Sequence, residues 1–590
     1  MSISTTRNFG STLLQLDNSQ WSQLYYLLLI ISGAVGALAF RTKSTTKSNI
    51  STIDGPAPSS MVWGSACDMF DDERGLAFQD DLMKSYGSAC RIQGPLGTTE
   101  LWISDPRAIQ EVLVKGYYDF KQTSWFNTWV KLVLGPVVAT LHGQEHKTRR
   151  KILNPVSTAS HVRNSAATDA PHTKTPTMTS IARKLHEIVA SEVQVNGGNT
   201  GVVDLFKWIH LISLEIIGQA AVELTALSGI GHSFGILEGK VPDYLAASRD
   251  VFALISEMWY LHPFIAFLTR LGPASFRRAV VEHIAHPPAQ KLKDVADTMH
   301  NTATEIMKNK KEALENGTLD SGIAAGKDMM TGLLKRNLAS APQDRMTEEE
   351  LLCQVNGLLF AAHDTTSSAL SCTINLLAEH QEVQAKLRDE IRGAYRSHGK
   401  DLDYDQLNSL PYLDAVCRES LRIYAPAPLV VRIAAKDWTL PLYYPIKSKD
   451  GKLTSSTINV SKGTAVYISF RAANRDERTW GSDAGEFRPD RWLKPLLESV
   501  SDARMPSVYS SIMTFSGGLR SCPGMKFALL EMNAETILST LISNFNFDLS
   551  EEQIKWKAAG VIKPHIQYPD STTSKEPMMP MKVTLLSDME

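Results

Sequence analysis

The chain has 590 residues, 43% hydrophobic and 21% charged, with 61 Lys+Arg against 63 Asp+Glu and a formal net charge of −2. These are the values of a globular protein; they exclude a disordered or collagen-like chain and a multi-span membrane protein, and no basic excess points to nucleic acid. The 6 cysteines contain no Cys-x-x-Cys pair, so they make neither a disulfide scaffold nor a thiolate zinc site.

The run Leu24–Phe40 carries no charge and is preceded by Trp21. Together they reach the roughly 20 residues of a spanning helix. Arg41, Lys43 and Lys47 follow, whereas only Arg7 precedes. The positive-inside rule then predicts a lumenal tail over 1–20, a transmembrane anchor over 21–40 and a cytosolic remainder. Ala37-Leu38-Ala39 offers the competing reading of a cleaved signal peptide. Against it, the basic cluster follows the apolar run instead of preceding it. Glycosylation at the sequons starting at Asn49, Asn316 and Asn459 would mark a lumenal chain and so separates the two. Residues 41–60, ending in Gly55-Pro56-Ala57-Pro58, read as a linker and stiff hinge. Residues 61–590 show no second linker and no repeat, and 157–179, poor in apolar residues, reads as a loop or disordered insertion.

His142-Gly-Gln-Glu145-His146 fits a zinc-protease pattern, but Gly143 weakens the helix it requires and basic residues crowd the next turn. Thr347-Glu348-Glu349-Glu350 is a capping box that opens a helix running to about Leu377. Leu358–Ala362 is apolar all round, so this helix is predicted to be buried. In its middle stand His363-Asp364-Thr365-Thr366, an acid and alcohols that invite a functional reading. Glu419 and Arg422 lie one turn apart and can pair. Strand signals sit near Cys90–Ser104, Asn459–Phe470 and Met581–Leu586. The fold class is therefore mainly α with small β-sheets.

Phe515-Ser-Gly-Gly-Leu-Arg-Ser-Cys522-Pro-Gly524 sets a cysteine in a Gly-rich loop before the amphipathic stretch from Met525 to about Phe545. A helix N-terminus and Arg520 are both expected to favour thiolate over thiol. Gly518 and Gly524 let the backbone approach something flat and bulky. A thiolate is also the haem ligand that favours O–O cleavage. An inert buried cysteine is the other reading of these residues.

Phe515, Gly518, Arg520, Cys522 and Gly524 fill every slot of F-x-x-G-x-R-x-C-x-G, and here the chain resembles the cytochrome P-450 monooxygenases of fungal microsomal type. Phe487-Arg-Pro489-Asp-Arg491-Trp492, Glu419-x-x-Arg422 and Ala361-Ala-His-Asp364-Thr365-Thr match further motifs of that family in its order, over roughly residues 55–586. The resemblance implies the cytochrome P-450 fold, haem b held by Cys522 as metal ligand, and Phe515 packed near the sulfur. It gives propionate contacts to Arg520, His146, Arg150 and, by position, Arg432. Glu419, Arg422 and Arg491 become a buried structural network. Asp364 and Thr365 become the pair that guides protons to dioxygen. Ala361, Val430 and Val431 would line the substrate pocket, although core packing explains them equally well. Two departures stand out: Ala362 replaces the usual Gly, and Gln381 replaces a Pro, which predicts a softer helix break.

No G-x-G-x-x-G opens a βαβ unit, so NADPH would act only through a separate protein. The resemblance names the NADPH–cytochrome reductase of the endoplasmic reticulum, with cytochrome b5 as a second donor and Lys147, Arg149 and Lys151 as a docking patch. The implied reaction is hydroxylation of a C–H bond in a lipophilic small molecule, a secondary metabolite such as a terpenoid. The rival readings are a non-oxygenase haem-thiolate isomerase or dehydratase, and a membrane-tethered haem sensor without catalysis.

Overall fold

The computed structural model describes residues 49–153, 176–219, 232–316, 329–399, 402, 404–452, 454–529, 532 and 537–587. The expected tail and anchor, and nearly all of the expected insertion, lie outside these residues. The end of the insertion does not read as a loop: a helix begins at Pro176 and runs to Gly197. The packed region also starts before the expected end of the linker. Ile50 and Ile53 are buried in an apolar cluster with Leu440, Ile446 and Ile458, and Ile53 bridges to Ser448. Among the described residues no single helix is long and apolar enough to cross a membrane.

Among the described residues helices dominate, with twelve strands in four small sheets. The strands are β1 Ala89–Gln93, β2 Thr99–Ile103, β3 Phe120–Gln122, β4 Thr200–Asp204, β5 Leu429–Ala434 and β6 Trp438–Lys447. They continue with β7 Thr454–Val460, β8 Ala465–Ser469, β9 Phe545–Leu549, β10 Gln553–Ala559, β11 Val561–Gln567 and β12 Pro580–Leu585. The largest sheet has the order β1-β2-β8-β5-β3, with β2 and β8 parallel and the other pairs antiparallel. β4-β12-β9 form a second sheet, and β6-β7 and β10-β11 are two-stranded. All three predicted strand regions are strands.

The helix predicted from the capping box spans Glu348–Glu379. The Thr347 hydroxyl accepts from the Glu350 N–H at 3.2 Å, and the Glu350 carboxylate accepts from the Thr347 N–H at 2.8 Å. These two bonds satisfy donors that a helix start otherwise leaves orphaned. From Thr366 to Ala378 every residue of this helix is buried, so it runs through the core. Leu358, Ala361, Ala362 and Thr365 instead form a half-buried to exposed stripe along one face. Their spacing of three and four residues is that of a helix face.

The helix break after Glu379 is not softened by Gln381. His380 leaves helical geometry at φ −120°, ψ 77°, and a new helix starts at Gln381. The Gln381 amide donates to the carbonyls of Ala378 at 2.9 Å and Phe547 at 2.7 Å. Side-chain hydrogen bonds thus fix the corner that a proline would fix by ring geometry.

Candidate active site

The cysteine loop is closed by its own backbone: the Cys522 N–H donates to the Phe515 carbonyl at 2.9 Å. Phe515 is buried and meets Tyr509 edge-on with ring centroids 5.6 Å apart. Gly518 stands at φ +67°, where a Cβ would come within 2.7 Å of the Leu113 carbonyl oxygen, so both backbone shape and space require glycine. A Cβ at Gly524 would meet no protein atom within 4 Å. Cys522 is the one exposed cysteine among the described residues. Burial nevertheless pushes its thiol up, opposed by the Gly524 N–H and Arg150. The expected activation by Arg520 is therefore corrected: desolvation outweighs the local donors, and the cation beside the sulfur is Arg150.

Arg150 lies on the helix Gly143–Leu153 and donates to the Ser521 carbonyl at 2.7 Å, tying that helix to the loop. Arg520 points the other way. It donates to the Leu141 carbonyl at 2.6 Å and to Gln122 Oε1 at 3.2 Å, and it approaches His142 Nδ1 at 3.2 Å. Its guanidinium carbon lies 5.6 Å from the Tyr117 ring centroid. Gln122 on β3 pairs in register with Arg432 on β5, and this brings Arg432 to the same corner. His146 is buried and shares a 2.8 Å hydrogen bond with the Tyr117 hydroxyl through Nδ1. The helix Gly143–Leu153, strand β5 and the cysteine loop thus bring His146, Arg150, Arg432 and Arg520 to one corner, with Arg150 the cation that acts on Cys522.

Among the described residues no carboxylate pairs with these three arginines. Burial, then Arg520, pulls the Arg432 guanidinium down to about 9. Burial, then Arg520, pulls His146 down to about 4. The Nε atoms of Arg150 and Arg520 are buried without a hydrogen-bond partner. Arg432 is buried and Arg150 and Arg520 are half-buried; cations so placed without anions are costly, and anionic carboxylates brought by a ligand would offset that cost. A flat dicarboxylate whose metal faces the sulfur therefore fits the residues present. Tyr117, His142 and Gln122 belong to this corner, and nothing in the sequence pattern singled out Tyr117 or Gln122.

The zinc-protease reading of this segment fails, because Glu145 is exposed while His146 is buried against Tyr117 and His142 meets Asn127. Arg149 leaves the expected docking patch. It turns inward to Glu350 at 2.9 Å, and its side chain is only 12% exposed.

On the long helix, the Thr365 hydroxyl donates back to the Ala361 carbonyl at 2.8 Å, within the accessible stripe. Asp364 is buried on another side, 2.7 Å from the Lys563 ammonium of β11. The acid and the alcohol are sequence neighbours engaged with different partners. His210, His363 and Asp364 place possible ligand atoms within 4.8 Å of one another, but the Lys563 ammonium holds the cation position against Asp364. Lys563 had a sequence signal that went unread, a lysine inside the apolar run Val561–Ile566.

Val430 and Val431 do not share a pocket wall, since consecutive strand residues point to opposite faces. Val430 packs with Leu113, Phe120 and Ile468, whereas Val431 packs with Trp102 and Tyr467. Val430 lies on the Arg432 face.

Glu419 and Arg422 are wholly buried and joined by two hydrogen bonds of 2.8 and 2.9 Å. Glu419 also accepts from Arg491 Nε at 3.3 Å, the Trp492 indole at 2.9 Å and the Arg488 N–H at 3.0 Å. Arg491 continues to Asp483 at 3.0 Å. Trp492 and Asp483 are members that sequence reasoning had not placed.

Residues 56–567 match the family description "Cytochrome P-450". The chain is 36% identical over 539 residues to cytochrome P-450 monooxygenase 91 of Postia placenta, covering 91% of this chain and 94% of the relative. It is 35% identical over 572 residues to a ganoderic acid synthetase of Ganoderma lucidum, covering 95% and 99%. It is 33% identical over 555 residues to a cytochrome P-450 monooxygenase of Hericium erinaceus, covering 92% and 95%. A mainly helical fold, a glycine-shaped cysteine loop and this breadth of identity lead to one conclusion: the chain belongs to the cytochrome P-450 family and is an oxidoreductase of the haem-thiolate monooxygenase kind.

Proposed function

We propose that this enzyme places one oxygen atom of dioxygen into a C–H bond of a lipophilic small molecule, a secondary metabolite of terpenoid type. The observation that carries the haem reading is one buried and two half-buried arginines, Arg432, Arg150 and Arg520, with no carboxylate paired to them among the described residues, near an accessible cysteine. Cys522 would ligate iron, with Arg150, Arg432, Arg520 and His146 around the propionates. Gly518 and Gly524 would keep the backbone close, and Phe515 would anchor the loop. Bound haem supplies the dioxygen and electron-transfer chemistry. The chain holds and orients it, presents Ala361 and Val430 to substrate, and moves protons past Asp364 and Thr365. The terpenoid class is supported by the relative named ganoderic acid synthetase. Electrons come from the NADPH–cytochrome reductase of the endoplasmic reticulum membrane, with cytochrome b5 as a second donor. The charge-free run over 21–40 anchors the chain there with its catalytic domain in the cytosol.

Co-expression with a reductase in a microsomal host, fed a terpenoid panel, tests this reading. The expected result is a product 16 mass units heavier that requires NADPH and dioxygen (about one oxygen atom). Product formed without either would favour the isomerase or dehydratase, and no product over a broad panel would favour the sensor.

Two variants probe the site. Thr365→Ala is expected to bind haem normally but to lose coupling several-fold, releasing hydrogen peroxide; retained coupling would remove Thr365 from proton supply. Arg432→Met is expected to stabilise the haem-free protein while haem dissociates faster, read by thermal unfolding and by haem transfer to apomyoglobin. Its folded-state ionisation is lowered to about 9, so the folding penalty of the charged guanidinium is full below that pH. The penalty fades only as pH rises from there toward the unfolded value.

A further inference from the structure

Asp364 is 1% exposed, and no atom of its carboxylate has a hydrogen-bond donor of ordinary geometry among the described residues. Its one close polar neighbour is the Lys563 ammonium at 2.7 Å. Of the two nearby histidines, His363 has both ring nitrogens engaged elsewhere, whereas His210 Nε2 is buried without a hydrogen-bond partner among the described residues. His363 uses Nδ1 on the Leu359 carbonyl at 2.8 Å and Nε2 on the Ser248 hydroxyl at 3.0 Å. His210 uses Nδ1 on the Ser367 hydroxyl at 3.0 Å.

Lys563 is held in place by its strand. The Ser368 hydroxyl donates to the Ile562 carbonyl at 2.5 Å, one residue before Lys563, and so fastens β11 to the long helix one turn past Asp364. The ammonium also donates to the Arg249 carbonyl at 3.1 Å, and the Arg249 side chain reaches Glu576, which is 66% exposed. Within the pair, the lysine side chain is 9% exposed and the aspartate 2%. Lys563 is therefore the less buried member, and Asp364 the member that adjoins Thr365 along the helix, about 100° round from it.

The geometry points to Lys563 as the proton donor that recharges Asp364 during turnover. This rests on the role of Asp364 proposed above. In the step, the ammonium at 2.7 Å turns an N–H onto the Asp364 carboxylate; that N–H bond breaks and an O–H bond forms, leaving a neutral amine and a neutral acid. Asp364 then passes its proton toward Thr365, and the amine regains one from water on the Arg249 side. A transfer of this kind needs a lysine, because an arginine cannot be deprotonated under these conditions.

The test uses the full chain in microsomes with reductase, 7-ethoxycoumarin as probe, and product per NADPH as readout. The reduced carbon-monoxide spectrum normalises for folded, haem-loaded enzyme. Lys563→Met and Lys563→Arg are each expected to lower coupling about tenfold, at unchanged spectrum and probe binding, with a raised solvent deuterium isotope effect. Wild-type coupling in Lys563→Arg would reduce Lys563 to a counter-charge, and wild-type coupling in Lys563→Met would remove it altogether; either overturns the proposal. Wild-type coupling in Asp364→Asn would instead sink the role of Asp364 itself. Lys563→Met leaves a buried carboxylate unpaired and can fail to fold, so the Asp364→Asn/Lys563→Met double variant completes the cycle. Coupling equal to that of Asp364→Asn alone places both residues on one path, and a further additive loss overturns that.

Discussion

Serine at position 522 abolishes the red-shifted Soret band of the reduced, carbon-monoxide-treated protein, and with it all monooxygenase turnover. The loop does not depend on the sulfur for its shape. It is set by the Cys522 N–H to Phe515 carbonyl bond of 2.9 Å and by Gly518 at φ +67°. Serine keeps both, so its effect reports the ligand and not the fold. An alcohol does not ionise at neutral pH, and it cannot donate electron density to iron as a thiolate does. No other described cysteine can take over. Cys90, Cys353, Cys372 and Cys417 are buried, and burial pushes all four thiols up. Cys67 is half-buried and hydrogen-bonded near Gly64. The variant should still gather some haem through its arginine corner, seen as a band at the position of a non-thiolate complex. A persisting thiolate band would overturn the ligand assignment.

The same burial that raises the Cys522 thiol shows what the site lacks in protein terms. Arg150 and one backbone N–H do not offset the desolvation of a thiolate. Nor do any described carboxylates offset the buried Arg432 and the half-buried Arg150 and Arg520. A metal porphyrin held by Cys522 and the arginines would supply a cation to the sulfur and anions to the guanidiniums, so each half of the site would compensate the other. Haem uptake is then expected to order and stabilise this corner, because a ligand that binds only the folded state adds its binding free energy to folding.

Local rules read most of this from the sequence. The capping box places the long helix correctly because its signal lies within four residues. The cysteine loop is legible because glycine positions and a cysteine carry their constraints locally. The expectations that failed concern partners distant in sequence. Arg149 reads as a free basic residue until the fold brings Glu350 to it. Gln381 reads as a weakened corner until β9 offers the Phe547 carbonyl. Val430 and Val431 read as one wall until strand pairing splits them between two apolar clusters. Asp364 and Thr365 read as a couple because they adjoin in sequence. A helix sends neighbours about 100° apart, and the partner that decides the position of Asp364 lies on β11.

Arg422→Ala destabilises the folded protein by about 3–5 kcal/mol, enough to deplete haem-loaded enzyme at growth temperature. The guanidinium makes five hydrogen bonds, two to Glu419 and one each to the carbonyls of Asn474, Ala484 and Glu486. Removing it takes from the fully buried Glu419 its closest cation and two of its five hydrogen bonds, leaving Arg491, Trp492 and the Arg488 N–H, and it frees three carbonyls. These carbonyls belong to the segment leading into the meander, and the neighbouring Asn474 side chain accepts from the Met513 N–H at 2.6 Å. Loss of Arg422 therefore loosens the approach to the cysteine loop without touching the haem corner itself. Arg422→Lys is expected to do little better, since a point-charge ammonium cannot match a planar fork with five donors. Arg488→Ala is the control. That side chain is 55% exposed and pairs only with Asp483, and exposed pairs contribute about 0–1 kcal/mol. The measurement is thermal unfolding of the haem-loaded proteins beside their carbon-monoxide spectra. Arg422→Ala behaving like Arg488→Ala would show that the buried network can be dismantled without loss, and its structural role would fall.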